Sequence, residues 1–123
     1  MKFLKLVFAS LLIIASFTNS NAQSNKAERG IKTDWVFVDG TCEMDKHRIE
    51  NSALSVKGVS YAFWNEDART LMVKYQNYPS NLLDIIEKKI ADNGNDTEKY
   101  RTSDSTYNKI ATCCHYRDKE RKL

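Results

Sequence analysis

Three cysteines are the residues of this chain with the most distinctive chemistry. Cys42 lies in a polar loop, and Cys113 and Cys114 form an adjacent pair near the end of the sequence. A thiolate can bind a soft ion such as Cu(I), and two thiols can be oxidised to a disulfide. Because an odd number cannot pair completely within one chain, one thiol is left free, binds metal or bonds to another molecule, which also permits a disulfide-linked dimer.

Further candidate ligands lie beside the cysteines in the sequence. Met44 and Asp45 follow Cys42, and His115 follows the tail pair. Cys42 precedes a predicted helix, whose dipole and free N–H groups would favour the thiolate. Cys42 with one tail cysteine would make a two-sulfur site, and all three cysteines with His115 would make a Cys₃His set that suits zinc. The hard carboxylate of Asp45 also suits zinc better than Cu(I), although a helix cap is the favoured role of this side chain.

A disulfide from Cys42 to Cys113 or to Cys114 is the alternative to metal ligation. Such a bridge would attach the end of the chain to the loop and stabilise the fold by about 2–4 kcal/mol. A bridge within the adjacent pair is disfavoured because a vicinal disulfide is strained. The sequence leaves ligation and a bridge to either tail cysteine open.

The start of the chain predicts a signal peptide over residues 1–22. Two lysines precede an apolar run at 6–17, which is shorter than the roughly 20 residues that a membrane-spanning helix needs. The small side chains of Ser20 and Ala22 place the expected cleavage before Gln23. We therefore expect an exported protein, periplasmic or secreted, with no membrane attachment after cleavage.

Charge and motif content exclude several classes of function. Without the two lysines of the signal peptide, the chain carries 17 basic and 16 acidic side chains, and these are interspersed. A near-neutral, mixed surface argues against nucleic acid as a partner. No Ser-His-Asp grouping, phosphate-binding glycine loop or pair of catalytic carboxylates stands out, and Asp45 interrupts the Cys-x-x-Cys pattern of thiol oxidoreductases. We therefore do not expect an enzyme.

Hydrophobic periodicity predicts the elements that must position the cysteines. The two helices have apolar stripes that need a sheet to cover them, so the order β-α-β-β-α-β predicts a ferredoxin-like α+β sandwich. A short helical extension capped by Ser103 follows it. The aromatic residues of the strands are expected either in the core or on an exposed face. The predicted strands are 33–39, 59–64, 70–75 and 97–101, the helices are 45–56 and one from Pro79-Ser80 to Asn93-Gly94, and the aromatics are Trp35, Phe37, Tyr61, Phe63 and Trp64.

The segment 40–50, Gly-Thr-Cys-Glu-Met-Asp-Lys-His-Arg-Ile-Glu, resembles the metal loop of the heavy-metal-associated (HMA) family. That family includes copper chaperones and the N-terminal modules of copper-exporting ATPases. Its loop contains Cys-x-x-Cys, its first helix begins with basic residues and Ile-Glu, and Gly-Val begins its second strand, as at 58–59 here. The resemblance covers about 33–100 and implies a ferredoxin-like fold with Cys42 as a metal ligand.

A narrower group within the family is more similar. These are exported bacterial proteins with a Cys-x-Met-Cys loop, an Asp-Thr-Glu-Lys-Tyr segment and a Cys-Cys-x-Tyr pair near the end, matched here at 96–100 and 113–116. The chain differs from that pattern at two positions, each of which removes a soft or borderline ligand. Asp45 replaces the second cysteine of the loop, and Asn95 replaces a histidine that often precedes the Asp-Thr-Glu segment.

These observations predict a signal peptide at 1–22, a linker at 23–32, an HMA-like domain at 33–101 and a C-terminal extension at 102–123. The predicted function is a periplasmic carrier or buffer of a transition-metal ion, Cu(I) or Zn(II), bound through Cys42 with the tail cysteines. The resemblance implies a metal-transporting or metal-accepting protein as partner. The alternative is a degenerate module of this fold that no longer binds metal and acts as a structural or protein-interaction domain stapled by a disulfide.

Overall fold

A three-stranded antiparallel sheet covered on one face by two helices forms the body of the protein. The computed structural model describes residues 30–119, so the predicted signal peptide and most of the predicted linker lie outside the described residues. Among the described helices, none combines the length and apolar character needed to cross a membrane. The elements are β1 (Ile31–Phe37), α1 (Glu43–Leu54), β2 (Val59–Asn65), β3 (Thr70–Gln76), α2 (Leu82–Asp92) and α3 (Asp104–Tyr107), followed by two 3₁₀ turns, Thr112–Cys114 and Tyr116–Asp118.

The sheet has the order β1–β3–β2, with β3 antiparallel to both neighbours, and the architecture is ferredoxin-like α+β. The predicted fourth strand at 97–101 is wrong in extent. The pairing of this segment is limited to an isolated bridge between Thr97 and Val38, just after β1. The Thr97 N–H donates to the Tyr100 carbonyl at 2.8 Å, and the Tyr100 N–H donates to Thr97 Oγ1 at 3.0 Å. The segment therefore turns back on itself instead of continuing along β1.

The core lies between the sheet and the two helices. Alternate side chains of β3 point into it, as the period of two in the sequence predicts. The predicted apolar stripe of α2 is buried except at Ile85, which is 40% exposed. The buried side chains that join sheet and helices include Val38, Ile49, Ala53, Trp64, Leu71, Val73, Tyr75, Leu82, Ile86 and Ile90.

The strand aromatics divide between the two faces of the sheet. Trp64 is fully buried, and its Nε1–H donates to the Val38 carbonyl at 2.9 Å. Successive strand residues point to opposite faces, so its neighbour Phe63 lies on the face without helices. Both expected positions therefore occur. Trp64 lies in the core, and the exposed face carries the other four aromatics, Trp35, Phe37, Tyr61 and Phe63.

Three helix starts show how local chemistry sets the boundaries. Cys42 is the N-cap of α1, which begins two residues earlier than predicted. Asn81 occupies the N-cap position of α2, so this helix begins later than the predicted start at Pro79-Ser80. Ser103 caps α3 as predicted, because its side chain accepts a hydrogen bond from the Thr106 N–H.

Candidate metal centre

The structure brings the three cysteines together, although the loop and the tail are far apart in sequence. Their sulfur atoms all lie within 4.8 Å of one another. Cys42 and Cys114, separated by 72 residues, form a disulfide with a Cα–Cα distance of 5.8 Å. Cys113 is an exposed free thiol, and its Sγ lies 3.8 Å from the Sγ of the fully buried Cys114. Of the bridges that the sequence left open, the structure contains Cys42–Cys114.

Cys42 owes its position to the tight packing of its loop against the sheet. A Cβ added at Gly40 would lie 2.9 Å from Trp64 Cζ2 and 3.1 Å from Asp45 Cβ, so only glycine allows this approach. The loop then enters α1 with Cys42 in an extended conformation at the N-cap. The sulfur thus lies at the positive end of the α1 dipole.

The tail cysteines are held in place by a clamp centred on Arg117. Its guanidinium donates two hydrogen bonds to the Asp96 carboxylate, at 2.7 and 2.9 Å, and one to the Thr102 carbonyl at 2.6 Å. The same group stacks on Tyr107, 4.3 Å from the ring centroid. Burial by itself would raise the pKa of Asp96, but the hydrogen bonds from Arg117 and from the Thr102 N–H outweigh it, so the pKa lies below its usual range.

Tyr116 attaches the tail to the same segment from the other side. Its hydroxyl donates to the Gly94 carbonyl at 2.8 Å and accepts from the Asp96 N–H at 2.9 Å. Burial raises the pKa of Tyr116 to about 12, so the hydroxyl keeps its proton and remains a donor. The two motif segments, 96–100 and 113–116, therefore pack against each other through Asp96.

Asp45 is fully buried beside the bridge and has several hydrogen-bond donors around it. Its Oδ1 accepts from Arg48 at 2.6 Å and from Asn95 Nδ2 at 2.9 Å, and its Oδ2 accepts from the Thr41 N–H at 2.8 Å. Oδ2 also lies 3.5 Å from Cys42 Sγ, a contact without a hydrogen because the sulfur is bridged. The carboxylate thus holds the loop on α1 by accepting a backbone N–H, and metal ligation by Asp45 would require it to give up these partners.

Met44 and His115 are the other two candidate ligands. Met44 faces solvent, and His115 is not part of the sulfur cluster. Met44 is 48% exposed in the first turn of α1. His115 Nε2 lies 3.0 Å from the Ile110 carbonyl, Nδ1 lies 3.4 Å from Asp118 Oδ2, and the ring stacks on Tyr107. Across residues 30–119, the cluster of candidate metal-binding groups comprises the three cysteines and does not include His115. Ligation by these two side chains stays a prediction.

Sequence reasoning missed the residues that position the sulfur atoms. Arg48 stands three positions after Asp45, a spacing that places the two side chains on one face of a helix and could have predicted their ion pair. The Arg117–Asp96 and Asn95–Asp45 pairs carry no local signal, because their members are separated by 21 and 50 residues.

Comparisons with known proteins complete the description. No protein-family model matches the chain, and the comparison with curated proteins finds no match. Among solved structures, one described as a CopZ metallochaperone aligns with a TM-score of 0.47 and 22% sequence identity, covering 54% of this chain and 98% of that chain. The ferredoxin-like architecture of this chain follows from its own elements and sheet order.

Proposed function

We propose that this protein is a carrier or buffer of a soft or borderline transition-metal ion, Cu(I) or Zn(II), which it binds through Cys42, Cys113 and Cys114 after reduction of the bridge. The observation that carries the proposal is the gathering of the three sulfur atoms within 4.8 Å. Thiolates are the protein ligands that select Cu(I) and also suit zinc.

The sulfur–sulfur distances fit a single ion. Two thiolates that each lie about 2.3 Å from one ion are about 3.8 Å apart at a tetrahedral angle and about 4.6 Å apart at most. Cys113 and Cys114 already have a separation of 3.8 Å. Cys42 and Cys114 are joined by the disulfide, and its reduction would free both side chains to rotate to such a separation without moving the backbone elements.

The bridge makes binding dependent on redox state. In the bridged form two of the three sulfur donors are consumed, and two electrons with two protons from a reductant convert them to thiols. The contacts of Arg117 and Tyr116 with Asp96 involve no sulfur, so we expect the tail to stay docked after reduction. The reduced cysteines would then remain gathered and ready for an ion.

The proposal also accounts for the two positions at which the chain differs from the HMA-family pattern. Asp45 and Asn95, which replace the family's second cysteine and a frequent histidine, contact each other at 2.9 Å and share Arg48 as a partner. A hydrogen-bonded group thus occupies the place of a ligand pair, and the tail cysteines would supply the missing sulfur. We further propose that the protein is exported and non-enzymatic, with a metal-accepting protein as partner.

A second candidate function is a structural module that no longer binds metal. The Cys42–Cys114 bridge and the hydrogen-bonded burial of Asp45 favour it, since both stabilise the loop without any ion. In this case the disulfide serves only to attach the extension to the domain.

Metal titration of the reduced protein distinguishes the two candidates. Anaerobic protein would be titrated with Cu(I) and with Zn(II) against a chromophoric chelator, in parallel with Cys42→Ser and Cys113→Ser. We expect one tightly bound ion in the parent protein, at least about tenfold weaker binding in each serine variant, and none in the bridged form. His47→Ala is the matched control, because this histidine is exposed on the same helix. Equal affinity in Cys42→Ser and the parent would reject the metal centre in favour of the structural module.

A further inference from the structure

We propose that Cys113 is an exchange thiol through which the Cys42–Cys114 disulfide reacts with low-molecular-weight thiols. The inference concerns thiol–disulfide exchange and does not depend on metal binding. It rests on three observations: a free thiol, a neighbouring disulfide, and opposite exposure of the two adjacent tail sulfurs.

The placement of the sulfurs separates the bridge from solvent and puts a nucleophile beside it. Cys114 is fully buried and Cys42 is partly buried, so an external thiol has restricted access to both bridged sulfurs. Cys113 is exposed, and its Sγ is 3.8 Å from one of them and within 4.8 Å of the other. Because exchange rates depend on access and on the proximity of the attacking thiolate, Cys113 is the favoured first nucleophile.

The exchange proceeds in three balanced steps. The Cys113 thiolate attacks the Cys42 sulfur, so a Cys42–Cys113 bond forms and Cys114 leaves as a thiolate. An external thiolate then attacks the exposed Cys113 sulfur, forming a mixed disulfide and releasing the Cys42 thiolate. A second external thiolate attacks the external sulfur of that mixed disulfide, releasing Cys113 and a small-molecule disulfide. In sum, two external thiols are oxidised and the protein disulfide is reduced.

The direction of the first attack follows from the geometry of the tail. Attack on Cys114 would close a strained vicinal disulfide, whereas attack on Cys42 exchanges one long-range bridge for another. Cys113 and Cys114 share the 3₁₀ turn Thr112–Cys114, and the clamp at Arg117 holds the chain just beyond it. To displace Cys114 in line, Cys113 Sγ must reach the side of the Cys42 sulfur opposite Cys114, so the first step requires the turn and its side chains to shift together.

Reduction kinetics with glutathione test the proposal directly. Bridged protein, kept in a metal chelator, would be mixed with reduced glutathione, and released thiols would be trapped by alkylation and counted by mass spectrometry over time. We expect Cys113→Ser to be reduced at least about tenfold more slowly than the parent, because the accessible route is removed. Thr112→Ser, a change in the same turn that keeps all three cysteines, should match the parent. A Cys113→Ser rate within twofold of the parent would overturn the proposal.

A second variant tests whether the exchanged bridge can form at all. In Cys114→Ser, mild oxidation should produce a Cys42–Cys113 disulfide, detected by mapping of peptides from unreduced protein. Circular dichroism would establish that the variant is folded before oxidation. A folded variant whose two remaining cysteines stay unpaired would contradict the exchange geometry. Because neither experiment contains a metal, their failure is distinguishable from failure of the proposed metal centre.

Discussion

Removal of the Cys42–Cys114 bridge should cost the protein a large part of its stability. The bridge closes a loop with a sequence separation of 72 residues. In the chain-entropy description, a cross-link of this length restricts the unfolded chain by about 4.4 kcal/mol at 25 °C. Small domains are typically stable by only about 5–15 kcal/mol, so the expected loss in Cys42→Ser is readily measured.

Urea unfolding followed by tryptophan fluorescence is a suitable assay, because Trp64 is fully buried in the folded protein. Without reductant, we expect the unfolding free energy of Cys42→Ser to lie about 4 kcal/mol below that of the parent. Cys113→Ser is the matched control, since it makes the same chemical change and keeps the bridge; it should lie within about 1 kcal/mol of the parent.

Addition of a reductant supplies an internal check. The parent protein should lose about the same 4 kcal/mol when its bridge is reduced, whereas Cys42→Ser should not change. A loss below about 1 kcal/mol in Cys42→Ser without reductant would refute the reasoning. That result would show that the tail and the domain do not unfold as one cooperative unit.

Three further predictions concern the contacts that hold the loop and the tail. Because the folded-state pKa of Asp96 is lowered, its stabilising contribution is complete above the usual Asp pKa of about 3.9 and falls progressively as the pH drops below that value. Urea unfolding at about pH 5 and about pH 3 should show a fall in the unfolding free energy, and Arg117→Ala should make this fall smaller. Tyr116→Phe leaves a backbone donor and acceptor without their partner and should lower the unfolding free energy by about 1–3 kcal/mol; an unchanged urea midpoint would contradict this. Gly40→Ala places a Cβ 2.9 Å from Trp64 and should cost about 1–3 kcal/mol with altered tryptophan fluorescence, whereas parent-like values for both would show that the loop can shift freely.

The group formed by Asp45, Arg48 and Asn95 shows why residue types alone are a poor guide to a site. From the sequence, Asp45 was a candidate ligand or a helix cap. The structure gives its carboxylate oxygens partners from α1, from the loop and from the segment after α2. Removal of Asn95 or Arg48 would leave a buried carboxylate with fewer hydrogen-bond donors. The loss of such a donor lowers the unfolding free energy, because water cannot replace it in the interior.

Most of the element order could be predicted because it depends on local patterns. The alternation of Leu71, Val73 and Tyr75 predicts β3, and all three side chains are buried as the period requires. The fourth strand could not be predicted reliably. Thr97 and Tyr100 form hydrogen bonds with each other, and the resulting turn replaces continued pairing along β1. Whether a short polar segment extends or turns depends on which partners reach it, and its own sequence does not specify them.

By itself, the sequence determined the chemistry available to this protein: an odd set of cysteines, one ahead of a helix and two at the end of an α+β chain. Only the tertiary structure decided that Cys114 is bridged and buried while its neighbour Cys113 is free and exposed. The physical reason is that the tail is oriented by the contacts of Arg117 with Asp96, between segments that are far apart in sequence. Periodicity carries information about near neighbours, whereas the choice between two adjacent sulfurs depends on how distant segments dock.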